Sequence, residues 1–347
     1  MPLLDYRSRV LILAMLLFTV ASVADDRQPK THVIKTSPKT VLWGYYDGSK
    51  PPISTIDSGD IIQVESPLAA SREMEVFGMP PELITAEMRA LEAGVPDSDK
   101  GPGANILVGP IAVNGAEPGD VLEVKILELE PIDNYAVNLF VQGHGALTED
   151  LPRTKVRLVP LDKTRNVAVF APGIEIPIRP FYGTMAVSPP AVIGRISDSP
   201  PDYFAGNLDN KDLVAGTTLY IPIQVKGALF AVGDGHAGQG DGEVDGTAIE
   251  VALRGKLQLT VRKDLHFLWP RAETPDHFMT MGFSPDLDRA VIQAVREMVD
   301  FLSTQYHLSP EDAYMLTSMA ADLHVTQVVD GTKGVHAMIP KKIFTRH

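Results

Sequence analysis

The stretch NILVGPIAVNGAEPGDVLEVKILELE, residues 105–130, holds two β-rich runs joined by a turn. Pro118 and Gly119 suit the two central positions of a type II turn, where the glycine takes a positive φ. After this turn, apolar residues often alternate with polar ones, as in a strand with one buried face. Similar turn-and-strand units recur at 32–66 and 212–233. The sequence therefore predicts a mainly β fold, built as an antiparallel sandwich or barrel-like body.

The C-terminal third is more helical than this body. Ser284–Pro285 is suited to start a helix that runs to about Tyr306. Residues 309–312 have the form of a capping box that introduces a second helix. The segments 324–330 and 334–344 then have the composition of strands. We therefore expect an α/β C-terminal layer on the β body.

The N-terminus has the pattern of a signal peptide. Arg7 and Arg9 precede an apolar run at 11–20, which is too short to span a bilayer comfortably, and 22–24 is a small-x-small cleavage site. We expect cleavage after residue 24, a periplasmic or secreted protein, and no membrane association once the segment is removed. An uncleaved membrane anchor is the alternative.

The rest of the chain is predicted to form a linker at 25–40 and one catalytic unit at 41–347. Residues 67–100 interrupt the β pattern with polar helix formers and Gly-Pro punctuation. This segment is expected to be an excursion from the body, either a lid or an oligomer contact.

Composition excludes several classes of function. The 347 residues carry a formal net charge of −13, so nucleic acid is not an expected partner, because its binding relies on a positive patch. The chain has no cysteine, which excludes disulfides and thiol nucleophiles. The serine-hydrolase pattern G-x-S-x-G and the metalloprotease pattern H-E-x-x-H are also absent.

The stretch GDGHAGQGDGEVDGTAIE, residues 233–250, concentrates five acidic residues and one histidine among six glycines. A solvated hairpin loop is one interpretation of this composition. A phosphate site is disfavoured, because the acidic side chains would repel the ligand. The EF-hand spacing also fails. A cation site is the remaining interpretation, since a bound cation would offset the repulsion among these carboxylates.

Spacing within this stretch favours the cation site. Asp234 and His236 lie two residues apart and share one face if the preceding strand continues, and Asp241 and Glu243 repeat that spacing. One imidazole among carboxylates suits zinc, which we expect first, while manganese, iron, calcium or another divalent cation stays open.

Several segments together resemble the acetamidase/formamidase family of metal-dependent amide hydrolases. They are GPIAVNGAEPGDVLEV (109–124), RPFYGTMAVSPP (179–190), the stretch 206–250 and the C-terminal segment 311–344. The family core G-D-x-H-A-x-Q-G-D-G-E is present from residue 233 to residue 243. The resemblance implies a mainly β fold with α/β additions, a homo-oligomer, and hydrolysis of carbon–nitrogen bonds in small linear amides, which releases ammonia and a carboxylic acid.

Metal-activated water is the chemistry that these residues support. Asp234 and His236 are assigned as metal ligands, and Glu243 as a ligand or the general base. Asp241 is a second candidate catalytic residue, which ligates the metal or orients His236. At Asp245 many family members carry cysteine, so the metal preference and substrate range do not transfer directly.

Three further residues are candidates for substrate binding. Asn207 and Asp209 could hydrogen-bond the amide or complete the coordination, although such residues before a strand are often turn formers. His144 lies between glycines and could approach the site, or it could lie in a surface turn. His324 and His336 are interpreted as structural histidines in strands.

Two functions of other classes remain open at this point. One is a non-catalytic metal- or amide-binding protein of the same fold. The other is a structural oligomer stabilised by calcium.

Overall fold

The computed structural model describes residues 27–76 and 78–345, so the predicted signal peptide at 1–24 lies outside the described residues. Strands dominate the described chain, as the sequence predicted. The first strands, numbered in chain order, are β1 (Thr31–Ile34), β2 (Val41–Trp43), β3 (Tyr45–Tyr46), β4 (Ser54–Ile56), β5 (Ile61–Ser66), β6 (Ile106–Val113), β7 (Val121–Pro131), β8 (Tyr135–Phe140), β9 (Lys155–Asp162), β10 (Val167–Ala171) and β11 (Ile174–Pro177).

The second half of the chain continues this pattern and adds the longer helices. Its strands are β12 (Phe181–Ala186), β13 (Ile196–Ser197), β14 (Ala205–Asn207), β15 (Thr218–Pro222), β16 (Phe230–His236), β17 (Leu253–Arg262), β18 (Arg271–Glu273), β19 (His277–Ser284), β20 (Asp322–Gln327) and β21 (Lys333–Pro340). The helices of the described chain are α1 (Ser71–Val76), α2 (Ala86–Gly94), α3 (Leu287–Tyr306) and α4 (Pro310–Ala320).

Two large sheets form the body. The first has nine strands in the order β1-β5-β17-β7-β15-β18-β19-β21-β20, and its pairs are antiparallel except β1 with β5. The second has the order β14-β12-β16-β6-β2, with β4 added in parallel on β6. A four-stranded sheet, β11-β10-β9-β8, and the pair β13-β3 complete the set. None of these sheets closes into a barrel within the described residues, so the barrel-like alternative is corrected to layered sheets.

The core lies between β16 of the second sheet and β5 and β17 of the first. Its fully buried members include Ile62 on β5, Val232 on β16 and Leu257 on β17. The two layers meet closely, because a Cβ on Gly235 would lie 2.5 Å from the Cβ of Leu253. Glycine at this position therefore allows β16 to pack closely against β17, and this contact positions the C-terminal end of β16.

The C-terminal α/β layer agrees with the sequence, with a shift at its first helix. α3 begins at Leu287, and the carboxylate of Asp286 caps it by accepting a hydrogen bond from the Arg289 backbone N–H. The predicted start at Ser284–Pro285 is therefore corrected, because Ser284 still belongs to β19. The second helix begins as predicted, with Ser309 capping Asp312.

α3 packs on β19 and β21 through four fully buried side chains: Ala290, Ala294, Met298 and Leu302. The helix approaches β19 closely, since a Cβ on Gly282 would lie 2.2 Å from the Ala290 carbonyl oxygen. This packing fixes α3 on the outer part of the first sheet, beside β19 and β21.

Residues 67–100 carry α1 and α2 and pack against β8. Their buried members Met74, Met79 and Met88 form a hydrophobic cluster with Val137. No helix of the described residues is long and apolar enough to cross a membrane.

Candidate active site

A cavity of about 180 Å³ opens at the end of β16, where His236 closes the strand. Asp234 and His236 face the same side, as their spacing predicted, and the Asp234 Oδ1 atom lies 3.3 Å from His236 Nε2. The other acidic residues that line the cavity are Glu73, Asp209, Glu243, Glu250 and Asp330. None of the described lining residues is Lys or Arg. The cavity therefore gathers six carboxyl groups around one imidazole, with no lysine or arginine among the described lining residues.

The ring of His236 is held in one orientation. Its Nδ1 lies 3.0 Å from Gln239 Oε1, and Gln239 Nε2 donates to the Asp209 carbonyl oxygen at 2.7 Å. Because the Gln239 amide nitrogen is committed to a carbonyl, its oxygen is the atom that faces the ring, and Nδ1–H donates to it. The lone pair of a neutral His236 is then on Nε2.

Within the described residues, the ion-pair partners of that Nε2 atom are all carboxylates. Glu250 Oε2 lies 3.2 Å from it and Asp209 Oδ1 lies 4.0 Å from it. His236 is 1% exposed, so water does not screen these contacts. An edge-on contact with the Phe181 ring, at 4.9 Å between centroids, covers another side of the imidazole. A lone pair among buried carboxylates is favourable only if a proton or another cation lies between them.

Asp209 is held by a chain of amides and hydroxyls. Its Oδ2 accepts a hydrogen bond of 2.7 Å from Asn207 Nδ2, while Asn207 Oδ1 accepts from Thr184 Oγ1 at 2.6 Å and from Asn105 Nδ2 at 3.0 Å. The other oxygen of Asp209, Oδ1, is buried without a hydrogen-bond partner. An unpartnered buried carboxylate oxygen is costly, so this atom is free to take a ligand from the cavity.

The carboxyl groups of the cavity show the effect of crowding in their pKa values. Burial raises the pKa of Asp209 well above its usual range, and the carboxylates of Glu243, Asp330 and Asp234 raise it further. Burial likewise raises the pKa of Glu243, and that of Asp330 to about 7. Burial lowers the pKa of His236, but the nearby carboxylates of Glu250 and Asp234 outweigh that and raise it. The cluster retains protons that isolated carboxylates would release.

Three of the carboxylates occupy an uncommon backbone conformation. Asp209, Asp234 and Glu243 have φ angles of 47°, 61° and 45°, in the left-handed region that non-glycine residues seldom adopt. Such strain persists when surrounding structure imposes it, and it occurs often at functional sites. Here it turns three carboxylates toward one cavity.

A glycine leaves the space into which these groups converge. A Cβ on Gly183 would lie 2.3 Å from Asp234 Oδ2 and 2.5 Å from Asp209 Oδ1. Any larger residue on this segment of β12 would therefore push the carboxylates apart. No local pattern around Gly183 distinguishes it, because the space it leaves depends on contacts with residues of other segments, Asp209 and Asp234.

The donor set fits a divalent cation. In this cavity, two sets of three side chains have ligand atoms that all lie within 4.8 Å of one another. One set is Asp209, His236 and Glu243, and the other is Asp234, His236 and Glu250. The imidazole nitrogen favours zinc or a similar transition metal over calcium, which prefers oxygen ligands throughout. The orphaned Asp209 oxygen and the space beside Gly183 agree with that fit.

The cavity brings together most of the residues selected from the sequence. Asp234, His236, Glu243, Asn207 and Asp209 all line it. Glu243 reaches it because the Gly242 N–H donates to the Thr326 carbonyl oxygen, which docks the loop beside β20.

Asp241 and His144 are not brought to this cavity. Asp241 Oδ2 lies 2.8 Å from Lys211 Nζ and 3.3 Å from His324 Nδ1. Gln239, and not Asp241, orients His236, so that part of the prediction is corrected. The cause is the turn between Asp241 and Glu243, since alternation of side chains requires extended backbone. His144 is exposed in a turn and does not line the cavity.

Asp245 has a local structural role. Its Oδ1 accepts a hydrogen bond of 3.1 Å from the Thr247 N–H, and it does not line the cavity. His324 and His336 lie opposite each other on β20 and β21 with stacked rings 4.9 Å apart. Together with Asp241 they form another group whose ligand atoms lie within 4.8 Å of one another, so their structural interpretation stays a prediction.

Sequence reasoning missed several polar residues of the cavity, among them Asn105, Glu250 and Asp330. Asn105 precedes β6, and Asp330 lies in the loop between β20 and β21. Asp330 follows two valines and precedes a glycine, which is the ordinary pattern of a turn, so no local signal distinguishes it. Only the tertiary contacts identify it as part of this site.

The comparisons with known proteins agree with this geometry. The sequence profile of the acetamidase/formamidase family matches residues 103–199 and 195–346. A formamidase of Methylophilus methylotrophus is 27% identical over 313 residues, which cover 69% of this chain and 76% of that protein.

Solved structures show the same likeness over most of the chain. An acetamidase from Bacillus halodurans has a TM-score of 0.77 and 33% identity, and the match covers 90% of this chain and 98% of that one. An acetamidase from Yersinia enterocolitica has a TM-score of 0.80 and 29% identity, with coverage of 93% and 96%.

Proposed function

This chain belongs to the acetamidase/formamidase family, and we propose that it hydrolyses the carbon–nitrogen bond of small linear amides, releasing ammonia and a carboxylic acid. The observation that carries the proposal is the cavity at the end of β16, where His236 Nε2 faces carboxylates with no Lys or Arg among the described lining residues. Amide hydrolysis needs a polarised carbonyl and an activated water, and such a donor set can supply both.

We propose that the reaction depends on a divalent metal, with zinc as the first candidate. His236 Nε2 and the carboxylates of Asp234, Glu250 and Asp209 are the groups that would hold it. When bound, such a cation acts as a Lewis acid on a carbonyl oxygen and lowers the pKa of a water molecule. Its charge would also relieve the repulsion that raises the pKa of Asp209.

Glu243 is the proposed proton carrier. It is 7% exposed and lies in the cavity beside His236 and Asp209, as their convergence within 4.8 Å shows. A carboxylate at this position can accept a proton from the attacking water and return it to the leaving nitrogen, which departs as ammonia. If Glu243 instead holds the cation, removing it lowers metal content as well as rate.

Gln239, Asn207 and Asn105 act on the reacting groups indirectly. Gln239 keeps Nε2 of His236 as the free ring nitrogen, and Asn207 fixes one oxygen of Asp209, with Asn105 supporting Asn207. These contacts make the donor set rigid before substrate enters, which is the arrangement that reduces reorganisation during the reaction.

An ammonia-release assay tests the proposal. The protein is depleted of metal with a chelator, dialysed, and assayed on formamide, acetamide and longer amides before and after zinc, manganese or calcium is restored. We expect release that falls on depletion and returns with one cation. Absence of release from every amide with every cation would overturn the activity. Full release after verified depletion would overturn the metal dependence alone.

We also propose export, on the basis of the residues before position 25, which the structure does not describe. The mature chain would then begin at Asp25. Intact-mass measurement of the protein from the native periplasmic or secreted fraction tests this, and a chain that retains residues 1–24 would contradict it.

A homo-oligomer is proposed as well. Its support is an exposed apolar group on α4, where Tyr314, Met315 and Met319 are 61%, 59% and 74% exposed. Light scattering on wild type and Met319→Lys tests it, and a monomeric wild type at micromolar concentration would contradict it.

A further inference from the structure

The cavity that holds the carboxylates also has an extensive apolar lining. Its members come from the 67–100 excursion, from β6 and from the neighbouring β8 and β9: Leu68, Ala69, Met74, Met79, Ile106, Val137, Leu139 and Val156. Hydrolysis of formamide or acetamide uses the polar groups alone. A lining of this extent therefore needs an explanation beyond the smallest amides, because apolar surface left facing water is unfavourable.

The apolar lining is anchored at several points. Met74 and Met79 are 3% and 5% exposed and pack with Val137. The Tyr135 hydroxyl, on β8, donates to the Leu83 carbonyl oxygen at 3.1 Å, which ties the excursion to the four-stranded sheet. At the start of α1, the Glu92 carboxylate accepts hydrogen bonds from Ser71 Oγ and the Arg72 N–H. The wall is thus a fixed part of the cavity.

The cavity is larger than a one- or two-carbon amide requires. An apolar cavity of about 150 Å³ is sufficient to hold benzene, and this one measures about 180 Å³. Part of that volume must serve the amide group and the attacking water. The remainder suits a substituent of roughly three to five carbons.

Charge restricts what that substituent can be. Six carboxyl groups line the cavity and no Lys or Arg does so among the described residues, so a negative charge on the acyl group of the substrate would be repelled. A positive group is the competing possibility, because the Glu73 carboxylate lies at the cavity and burial raises its pKa. The other lining residues of the 67–100 excursion are apolar, however: Pro67, Leu68, Ala69, Met74 and Met79.

We propose that this cavity selects amides whose acyl group is neutral, apolar and roughly four to six carbons long, in preference to formamide and acetamide. The inference rests on the proposed amide hydrolysis and adds the class of substrate. Thioether side chains such as those of Met74 and Met79 adapt to different shapes, so both straight and branched acyl groups fit this description.

Three six-carbon amides that differ only at the far end test the charge of the substituent. They are hexanamide, 6-aminohexanamide and adipamic acid, which end in a methyl, an ammonium and a carboxylate group. Each buried methylene contributes about fourfold in binding, so we expect kcat/KM for hexanamide to exceed that for acetamide by at least tenfold. Hexanamide should also exceed both charged analogues by at least tenfold, since each must desolvate a charge.

A pair of variants tests the location. Ala69→Phe adds bulk at a residue that lines the cavity, whereas Val76→Phe adds the same ring at a position 75% exposed on α1 that does not line it. Ala69→Phe should remove the preference for hexanamide, so that the ratio of kcat/KM for hexanamide to kcat/KM for acetamide falls to about one or below. Val76→Phe should leave both unchanged. If Ala69→Phe does not fold, product inhibition of wild type replaces it, with hexanoate expected to inhibit at least tenfold more strongly than acetate.

The outcomes separate this inference from the activity on which it rests. Acetamide hydrolysis with kcat/KM that falls as the chain lengthens would overturn the substrate class and leave amide hydrolysis standing. Faster turnover of 6-aminohexanamide would also overturn it, in favour of a cation-binding pocket at Glu73. Failure to hydrolyse any amide would overturn the proposed function itself, and the inference with it.

Discussion

Two clusters of histidine and carboxylate lie on either side of the loop that carries Asp241 and Glu243. The cavity cluster surrounds His236, and its described lining contains no Lys or Arg. The second cluster contains Asp212, Asp241, His324 and His336, and here Lys211 Nζ lies 2.8 Å from Asp241 Oδ2. Similar residue types therefore occur in two different electrostatic settings.

The pKa values of the carboxyl groups follow that difference. In the second cluster, a hydrogen bond from His336 lowers the pKa of Asp212 to about 2. Around the cavity, burial raises the pKa of Asp330 to about 7, and it does the same for Asp198, whose Oδ2 is buried without a partner. The two clusters therefore share their residue types and differ in what lies beside them: Lys211 pairs with Asp241 in the second cluster, and no Lys or Arg is among the described residues that line the cavity.

The largest expected effect comes from two residues on the same loop. Glu243→Gln keeps the shape of the side chain and removes its ability to accept a proton, so kcat should fall on the order of 10² to 10⁴. Asp241→Asn is the matched control, because that carboxylate pairs with Lys211 outside the cavity, and kcat should change by less than about threefold. Steady-state kinetics with metal analysis on the same preparations measure both.

A fall in metal content with Glu243→Gln would assign this residue as a ligand and not as the proton carrier. Equal losses of kcat in Glu243→Gln and Asp241→Asn would contradict the assignment of a catalytic role to Glu243 and a structural role to Asp241.

The next effect is on the stability of the metal-free protein. Asp198 has a pKa of about 7 when folded and about 3.9 when unfolded. Between those values the folded chain holds a proton that the unfolded chain has released, so stability falls as pH rises from about 4 to 7. Asp198→Asn should remove that loss and raise the free energy of unfolding at pH 8 by as much as roughly 4 kcal/mol.

Asp212→Asn should change the free energy of unfolding in the opposite direction. The lowered pKa of Asp212 contributes stability above pH 4, and this contribution is lost as pH falls toward 2. The variant should therefore be less stable than wild type at pH 7 by roughly 2 kcal/mol. Urea unfolding at pH 4 and pH 8 measures both variants. Destabilisation of similar size in both at pH 8 would contradict the electrostatic contrast.

Gln239→Leu is expected to weaken metal binding by about 10 to 100-fold, because the imidazole of His236 loses the acceptor that fixes its tautomer. Gln224→Leu is a control with a half-buried glutamine away from the cavity. Zinc titration against a competing chelator gives the affinity of each variant. Equal affinities for Gln239→Leu and wild type would show that the hydrogen bond does not matter to binding.

The smallest expected effect is that of Lys211→Met, which tests whether the charge of Lys211 keeps cations out of the second cluster. Lys211→Met breaks a half-exposed ion pair with Asp241, so stability should fall by less than about 1 kcal/mol. Removing this charge should also let the second cluster take up zinc weakly. Unchanged zinc stoichiometry at millimolar zinc would show that Lys211 is not what excludes a cation there.

Local sequence pattern predicted much of the fold and part of the site. Strands with alternating apolar and polar residues, and helices with capping residues such as Ser309 and Asp312, are encoded by residues close together in the sequence. Sequence patterns alone can therefore predict them. The Asp234 and His236 pair was accessible from its spacing, and both residues belong to β16, although the backbone at Asp234 itself is left-handed, with a φ of 61°. Alternation failed at Asp241 and Glu243, since the backbone turns at Gly242, where φ is 96°.

The remaining features depend on contacts between distant segments. Asp330 reaches the cavity because the β20–β21 loop is tied to the acidic stretch: the Gly242 N–H donates to the Thr326 carbonyl oxygen, and the Val328 N–H donates to the Gly242 carbonyl oxygen. The residues next to Asp330 in the sequence do not indicate that placement. The space at Gly183 likewise exists only when β12 and β16 pair, since its hypothetical Cβ would contact Asp234 and His236. Composition also left open whether the acidic stretch 233–250 is a solvated loop. The structure buries two of its residues, His236 and Glu243, so those two are not solvated.

Zinc titration of three metal-free proteins tests the central claim most directly. Wild type, His236→Ala and His324→Ala are compared by isothermal titration calorimetry with inductively coupled plasma analysis of bound zinc. We predict one tight equivalent in wild type and in His324→Ala, and its loss in His236→Ala, because the cavity cluster has no lysine or arginine beside it, whereas Lys211 lies at the second cluster. Tight binding retained in His236→Ala but lost in His324→Ala would place the cation in the second cluster and contradict the account.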